Sequence, residues 1–179
     1  MIKITGGSFK NTKLETISKF VRPTSAVKRE AFFSIINSYA IKNSYNFSKN
    51  KIFLDLFAGI GTMGLEAISR GVGNVIFYEN NKIVMETLKK NCKKICDKEQ
   101  YKIFEEDILN ASIDLDFDNI SIVYIDPPYH KYNLYNLLLN LQNKINQKTI
   151  IGIESSIEDN LIIPKNLKII IKKNMERQI

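Results

Sequence analysis

Two carboxylates at the ends of apolar runs carry most of the chemistry in this chain. Asp55 follows Ile52-Phe53-Leu54 and opens Asp55-Leu56-Phe57-Ala58-Gly59-Ile60-Gly61-Thr62-Met63-Gly64. Asp126 follows Ile120–Ile125 and opens Asp126-Pro127-Pro128-Tyr129, seventy-one positions after Asp55. A glycine-rich turn between a strand and a helix lets backbone approach a nucleotide. Gly59, Gly61 and Gly64 also satisfy the dinucleotide spacing, with Glu79 twenty positions beyond Gly59, where a carboxylate reaches ribose hydroxyls. NAD and S-adenosylmethionine therefore compete for the turn, and Asp55 separates them. A carboxylate at its mouth repels a pyrophosphate but attracts an ammonium or a nearby sulfonium. The charge favours S-adenosylmethionine, with Asp55, Phe57, Ala58, Gly59, Gly61 and Gly64 expected around it. Glu79 is expected to accept from both ribose hydroxyls and Asp107 from the adenine amino group, Glu105 and Glu106 competing for the latter role.

The second cluster suits an amine substrate. An exocyclic amine on a base is a poor nucleophile because its lone pair is delocalised into the ring. Hydrogen bonds from that amine to the Asp126 carboxylate and the Pro127 carbonyl would gather negative potential beside the nitrogen and free the lone pair. Pro127 and Pro128 have no backbone donor and a restricted φ, so the loop offers acceptors only. Tyr129 offers a ring on which an extruded base can stack, a contact worth roughly 1–3 kcal/mol. Asp126, Pro127, Pro128 and Tyr129 are thus the expected catalytic residues. This chemistry requires no metal. The single histidine, His130, reads as a surface loop residue, and no hydroxyl has the His partner a hydrolytic triad needs.

The elements that must hold these residues follow from periodicity. Short apolar strands are expected at Ile52–Leu54, Val75–Tyr78, Tyr101–Phe104, Ile120–Ile125 and Ile150–Ile153, alternating with helices over Thr62–Arg70, Lys82–Ile95 and Leu134–Leu141. Continuous apolar strands separated by helices indicate an α/β, mainly parallel sheet covered on both faces. Before it, residues 2–14 suggest a small β-hairpin. Arg22-Pro23-Thr24-Ser25 starts a helix capped by Thr24 or Ser25, with Ala31, Phe32, Ile35, Ile36 and Tyr39 as its apolar stripe.

Composition sets the frame. With 179 residues, 44% of them hydrophobic, the chain suits one domain, residues 1–50 forming an N-terminal extension and 51–179 the catalytic core. Lys and Arg outnumber Asp and Glu by 26 to 19, a net charge of +7 that suits a polyanionic partner or simply a solvated surface. Lys3, Lys10, Lys13, Arg22, Lys28 and Arg29 recur in the extension without matching acids and are the expected docking residues for such a polyanion. Cys92 and Cys96 lie four apart on one helical segment without metal-ligating neighbours and read as reduced structural thiols. No apolar run approaches eighteen residues and the N-terminus lacks a signal-peptide core, so a cytoplasmic, membrane-free protein is expected.

At this point the chain resembles a family. Ile2-Lys3-Ile4-Thr5-Gly6-Gly7, Lys13-Leu14, Arg22-Pro23-Thr24, Arg29-Glu30, Leu54–Gly59, Gly64-Leu65-Glu66-Ala67, Ser69-Arg70-Gly71, Asp126–Tyr129 and Glu154-Ser155 look like the RsmD-type methyltransferases of bacterial small-subunit rRNA. The resemblance covers nearly the whole chain. It implies a Rossmann-like class I methyltransferase that uses S-adenosylmethionine to methylate the N2 amine of one guanine in 16S rRNA, within a partly assembled small subunit; a monomer is expected. In that fold a last antiparallel strand normally closes the sheet, but Leu167–Ile171 is followed only by Lys172 to Ile179, so this strand is expected to be short or missing. Other classes predict other features. A DNA amino-methyltransferase would need a further target-recognition region, a protein-glutamine methyltransferase would favour Asn at position 126, and a non-catalytic RNA-binding protein leaves Asp55, Glu79 and Asp126 without a purpose.

Overall fold

The computed structural model describes residues 1–17, 24–45, 50–109, 115–128, 133–155 and 161–173. Five short apolar runs form one parallel sheet: β3 (Ile52–Asp55), β4 (Asn74–Tyr78), β5 (Tyr101–Phe104), β6 (Ile120–Ile125) and β7 (Ile150–Ile153), in the order β5-β4-β3-β6-β7. The order reverses between β3 and β6. Chain leaving these strands in opposite directions opens a crevice at their carboxyl ends, where open α/β sheets bind ligands.

Alternate strand residues serve two cores. Phe53, Val75, Phe77, Ile122 and Tyr124 pack on the face covered by α1 (Ala26–Asn43), α2 (Thr62–Ser69) and α3 (Lys82–Ile95). Leu54, Leu56, Tyr78, Val123 and Ile125 pack on the other face, with Leu137, Leu138 and Leu141 of α4 (Tyr135–Gln142). The doubly covered sheet expected from the continuous apolar runs is what forms. After β7, residues 161–173 include no strand, so among the described residues the sheet ends at β7; residues 174–179, on which the expectation of a short or missing last strand also bears, lie outside them.

The N-terminal hairpin consists of β1 (Ile2–Lys3) and β2 (Lys13–Leu14), antiparallel, with Ile2 opposite Leu14 and Lys3 opposite Lys13. It is built into the main core, since Ile4 and Leu14 are buried among residues of α1, α2 and the sheet. Helix α1 starts at Ser25, whose hydroxyl accepts from the Lys28 amide at 3.3 Å; Thr24, the other candidate cap, is used elsewhere. Its buried stripe is Arg29, Phe33, Ile36 and Ala40, and not the expected Ala31, Ile35 and Tyr39. The helix is turned so that a charged side chain, invisible to an apolar-periodicity count, faces inward against Glu66 of α2.

Glu66 explains that rotation. It is fully buried and accepts from the Thr5 amide (2.9 Å), the Thr5 hydroxyl (2.7 Å), the Gly6 amide (2.8 Å) and Arg70 Nε (3.0 Å). Arg29 Nε lies 3.6 Å from Glu66 Oε2, an ion pair without a hydrogen bond, and the Arg29 guanidinium donates to the Thr24 carbonyl (2.5 Å) and the Lys3 carbonyl (2.6 Å). A second clasp is Asn91 of α3, which exchanges hydrogen bonds with the Glu15 backbone at 2.8 and 3.1 Å and donates to the Ile60 carbonyl at 3.0 Å. Hairpin, α1 and glycine turn are thus tied to one core through buried polar groups, whose loss is costly because each leaves a partner unsatisfied.

Candidate active site

The glycine turn is stretched between its neighbouring strands. Leu56 donates to the Tyr124 carbonyl and Ala58 to the Tyr78 carbonyl, both at 3.0 Å. Gly61, at φ +87°, adopts a left-handed conformation that favours glycine, and as the N-cap of α2 it has no side chain with which to cap. Asp55 takes over that task from β3: its Oδ2 accepts from the Gly64 amide at 3.2 Å, in the first turn of α2, where the helix dipole favours negative charge. Gly64 serves packing, since a Cβ there would meet Phe77 Cε1 at 2.3 Å and Val75 Cγ2 at 2.6 Å. A Cβ on Gly61 would likewise meet Leu88 Cδ1 at 2.4 Å. Both glycines set how closely α2 and α3 approach the sheet.

Asp55 is only 1% exposed, and its Oδ1 has no hydrogen-bond partner among the described residues. Burial pushes its carboxyl up to about 8, against the Gly64 and Phe57 backbone amides, and the nearby Asp126 and Glu79 push the same way. An orphaned acceptor surrounded by like charge is a site for a cation. Glu79, half-buried after β4, accepts from the Gly59 amide (2.9 Å) and the Asn81 amide (2.8 Å), and burial raises its carboxyl against those bonds. Phe57 is half-buried and Ala58 buried. Asp107 is half-buried and accepts from the Leu109 amide at 3.1 Å, whereas its competitors Glu105 and Glu106 are exposed. The donor set therefore fits a ligand with an ammonium group and a ribose.

Asp126 leaves the end of β6 half-buried, Pro127 is buried and Pro128 exposed. Its Oδ2 accepts from the Thr24 hydroxyl at 3.1 Å. Burial, then the neighbouring Glu154, push its carboxyl up to about 7, opposed by Thr24 and Lys28. Tyr129 and Arg22 lie outside the described residues. The expected docking residues separate: Lys3, Lys10 and Lys13 are exposed, while Lys28 is half-buried with its ammonium on Glu154. Arg29 is only 2% exposed and locked between Glu66, Thr24 and Lys3, so it is removed from any phosphate-facing surface. Sequence reasoning gave no role to Thr24, Tyr124 or Glu154 in this site. A signal for Glu154 did exist, since it is the first charged residue after an apolar strand at the same sheet edge as Asp126.

Comparison with known proteins decides the family. A family model described as Conserved hypothetical protein 95, the RsmD family, matches residues 2–179. The chain belongs to this family. Ribosomal RNA small subunit methyltransferase D of Buchnera aphidicola is 32% identical over 99% of this chain and 90% of its own length. A provisionally named methyltransferase of Escherichia coli superposes with a TM-score of 0.78 at 24% identity, covering 98% of this chain and 92% of that one. An RNA methyltransferase of Salinibacter ruber, solved with S-adenosyl-L-homocysteine, has the same fold at a TM-score of 0.59 and 13% identity, covering 77% and 81%. The fold is that of class I methyltransferases.

A cation bound beside Asp55 would be linked to the loss of its proton. At pH 7 an unliganded carboxyl at about 8 is mostly protonated, and an ammonium beside it favours the ionised form. Donor binding is therefore expected to release protons near pH 7 and to tighten as pH rises towards 8. Calorimetry in buffers of different ionisation enthalpy should detect that release. Asp55→Asn should abolish the buffer dependence; an unchanged dependence in that variant would assign the proton elsewhere.

Proposed function

We propose that this protein transfers a methyl group from S-adenosylmethionine to the exocyclic N2 amine of a guanine in 16S rRNA, acting in the cytoplasm as a monomer on a partly assembled small subunit. The observation that carries this reading is the pair of carboxylates on adjacent parallel strands, where Asp55 pairs with Tyr124, two residues before Asp126. One keeps a buried oxygen, Oδ1, without a hydrogen-bond partner among the described residues. The other has one oxygen held by Thr24. Asp55, Phe57, Ala58, Gly59, Glu79 and Asp107 would hold the donor, which when bound supplies an electrophilic methyl group. Gly61 and Gly64 contribute by letting the helices pack closely.

Asp126 accepts from the target amine, Pro127 offers its carbonyl, and Tyr129 provides the stacking ring for an extruded base. With its carboxyl near 7, Asp126 is also able to take the proton that the methylated nitrogen sheds. In-line placement of the amine supplies the rest. Docking falls to Lys3, Lys10 and Lys13. Lys3 and Lys13 are direct cross-strand neighbours, and like charges so placed cost stability unless a polyanion meets them, which supports phosphate contacts there. The reading is tested by transfer of tritiated methyl to 30S particles from a strain lacking the modification, to naked 16S rRNA, to DNA and to protein, with the product mapped by mass spectrometry. N2-methylguanosine at one rRNA position is expected. Label in DNA or protein and none in RNA would overturn it.

A further inference from the structure

Glu154 at the end of β7 has no part in the reaction derived above, yet it lies against the target loop. Its amide donates to the Ile125 carbonyl at 2.9 Å, which sets it beside the residue preceding Asp126. Its Oε1 accepts from the Tyr124 hydroxyl at 2.5 Å and its Oε2 from the Lys28 ammonium. Lys28 stands in the first turn of α1, and Thr24, two residues before that helix begins, donates its hydroxyl to Asp126 Oδ2 at 3.1 Å. Helix α1, β6 and β7 therefore converge on one carboxylate. Among the described residues, the charged and titratable groups around Asp126 are Lys28 from α1, Asp55 from β3, Tyr124 from β6 and Glu154 from β7. Two of these are carboxylic acids. Lys28 is the cation that offsets them, and burial with the neighbouring carboxylates keeps the Tyr124 phenol un-ionised, so it can serve Glu154 as a donor.

Resting on the reading of Asp126 as the amine acceptor, we propose that Thr24, Lys28 and Glu154 are positioning residues for it: Thr24 holds one carboxylate oxygen, and the Lys28–Glu154 pair sets the charge around the carboxylate. The two members of the pair act in opposite directions. Glu154 favours the protonated form of Asp126 and Lys28 the ionised form. Lys28→Met is therefore expected to move the Asp126 titration to higher pH, Lys28→Arg to restore it, and the near-isosteric Glu154→Gln to move it to lower pH, each displacement being roughly half a unit or more. Thr24→Val should raise it as well and slow transfer, and Thr24→Ser should restore both.

The measurement is the carboxyl-carbon shift of labelled Asp126 against pH in the full chain without donor or RNA, assigned by its loss in Asp126→Asn. Single-turnover transfer against pH is read alongside. Opposite displacements for Lys28→Met and Glu154→Gln, in variants that melt like the parent, support the proposal. Displacements of the same sign, or none, overturn it. If the titrations move as expected but no RNA is methylated, the positioning network stands and the activity falls; ordinary transfer with unmoved titrations overturns the network alone.

Discussion

Asp126→Ala is expected to slow single-turnover methyl transfer by about 10²–10³-fold, the loss seen when one preorganised group facing developing charge is removed. Donor affinity should hardly change. Asp126 is one of the like charges that raise the Asp55 carboxyl, so its removal eases the ionisation of Asp55 and works, if anything, in favour of a cationic ligand. Loss in the chemical step without loss in donor binding is the pattern of an interaction made to the target amine. Asp126→Asn keeps the shape but presents one amide donor and loses the charge, and it should fall between alanine and the parent. The parent rate should rise with pH through about 7, because the acceptor must be ionised. An unchanged single-turnover rate in Asp126→Ala would end the amine-activation mechanism.

Glu66→Ala should cost more stability than any other single change considered. Its carboxylate is fully buried, ties the hairpin to α2 and α1, and is the counter-charge of the equally buried Arg29. Removing one member of a buried pair costs about 3–5 kcal/mol because the remaining charge stays desolvated. At roughly 2–4 °C per kcal/mol for a chain of this size, the melting temperature should drop by about 6–20 °C. Glu66→Gln keeps acceptor capacity and should lose less. A drop of under about 2 °C in Glu66→Ala would show that the clasp does not hold the hairpin.

The same clasp bears on the hairpin's role in RNA docking. Deleting residues 1–22 removes Ile4 and Leu14 from the core and strips Glu66 of the Thr5 and Gly6 donors, so the truncated chain should be destabilised as a whole. Charge reversal at the exposed Lys3, Lys10 and Lys13 leaves the clasp intact. Its effect on the salt dependence of RNA binding separates docking from folding.

The elements were legible because their signals are local. Apolar runs of three to six residues end within one residue of the hydrogen-bonded strands, and α3 occupies Lys82–Ile95 as its periodicity indicates. Asp55 was read from charge alone as a cation site, and the structure adds that its other oxygen caps α2 in place of the side chain Gly61 lacks. Gly61 and Gly64, expected as cofactor contacts, also carry helix packing, which depends on Phe77, Val75 and Leu88 from elements that spacing alone does not bring near.

What the sequence by itself determined is therefore the alternation of strands and helices, the glycine turn, the two carboxylates at strand ends and the family they resemble, all consequences of residue type at short range. What only the tertiary structure decided is which polar groups meet across long separations. Arg29 carries the same charge as Lys28 next to it, yet one helical position turns it inward to Glu66 and the other towards Glu154. Thr24 reaches Asp126 across 102 positions and Thr5 reaches Glu66 across 61. The energy of such contacts depends on burial and on partners brought close by folding, and neither is a property of any stretch of chain taken alone.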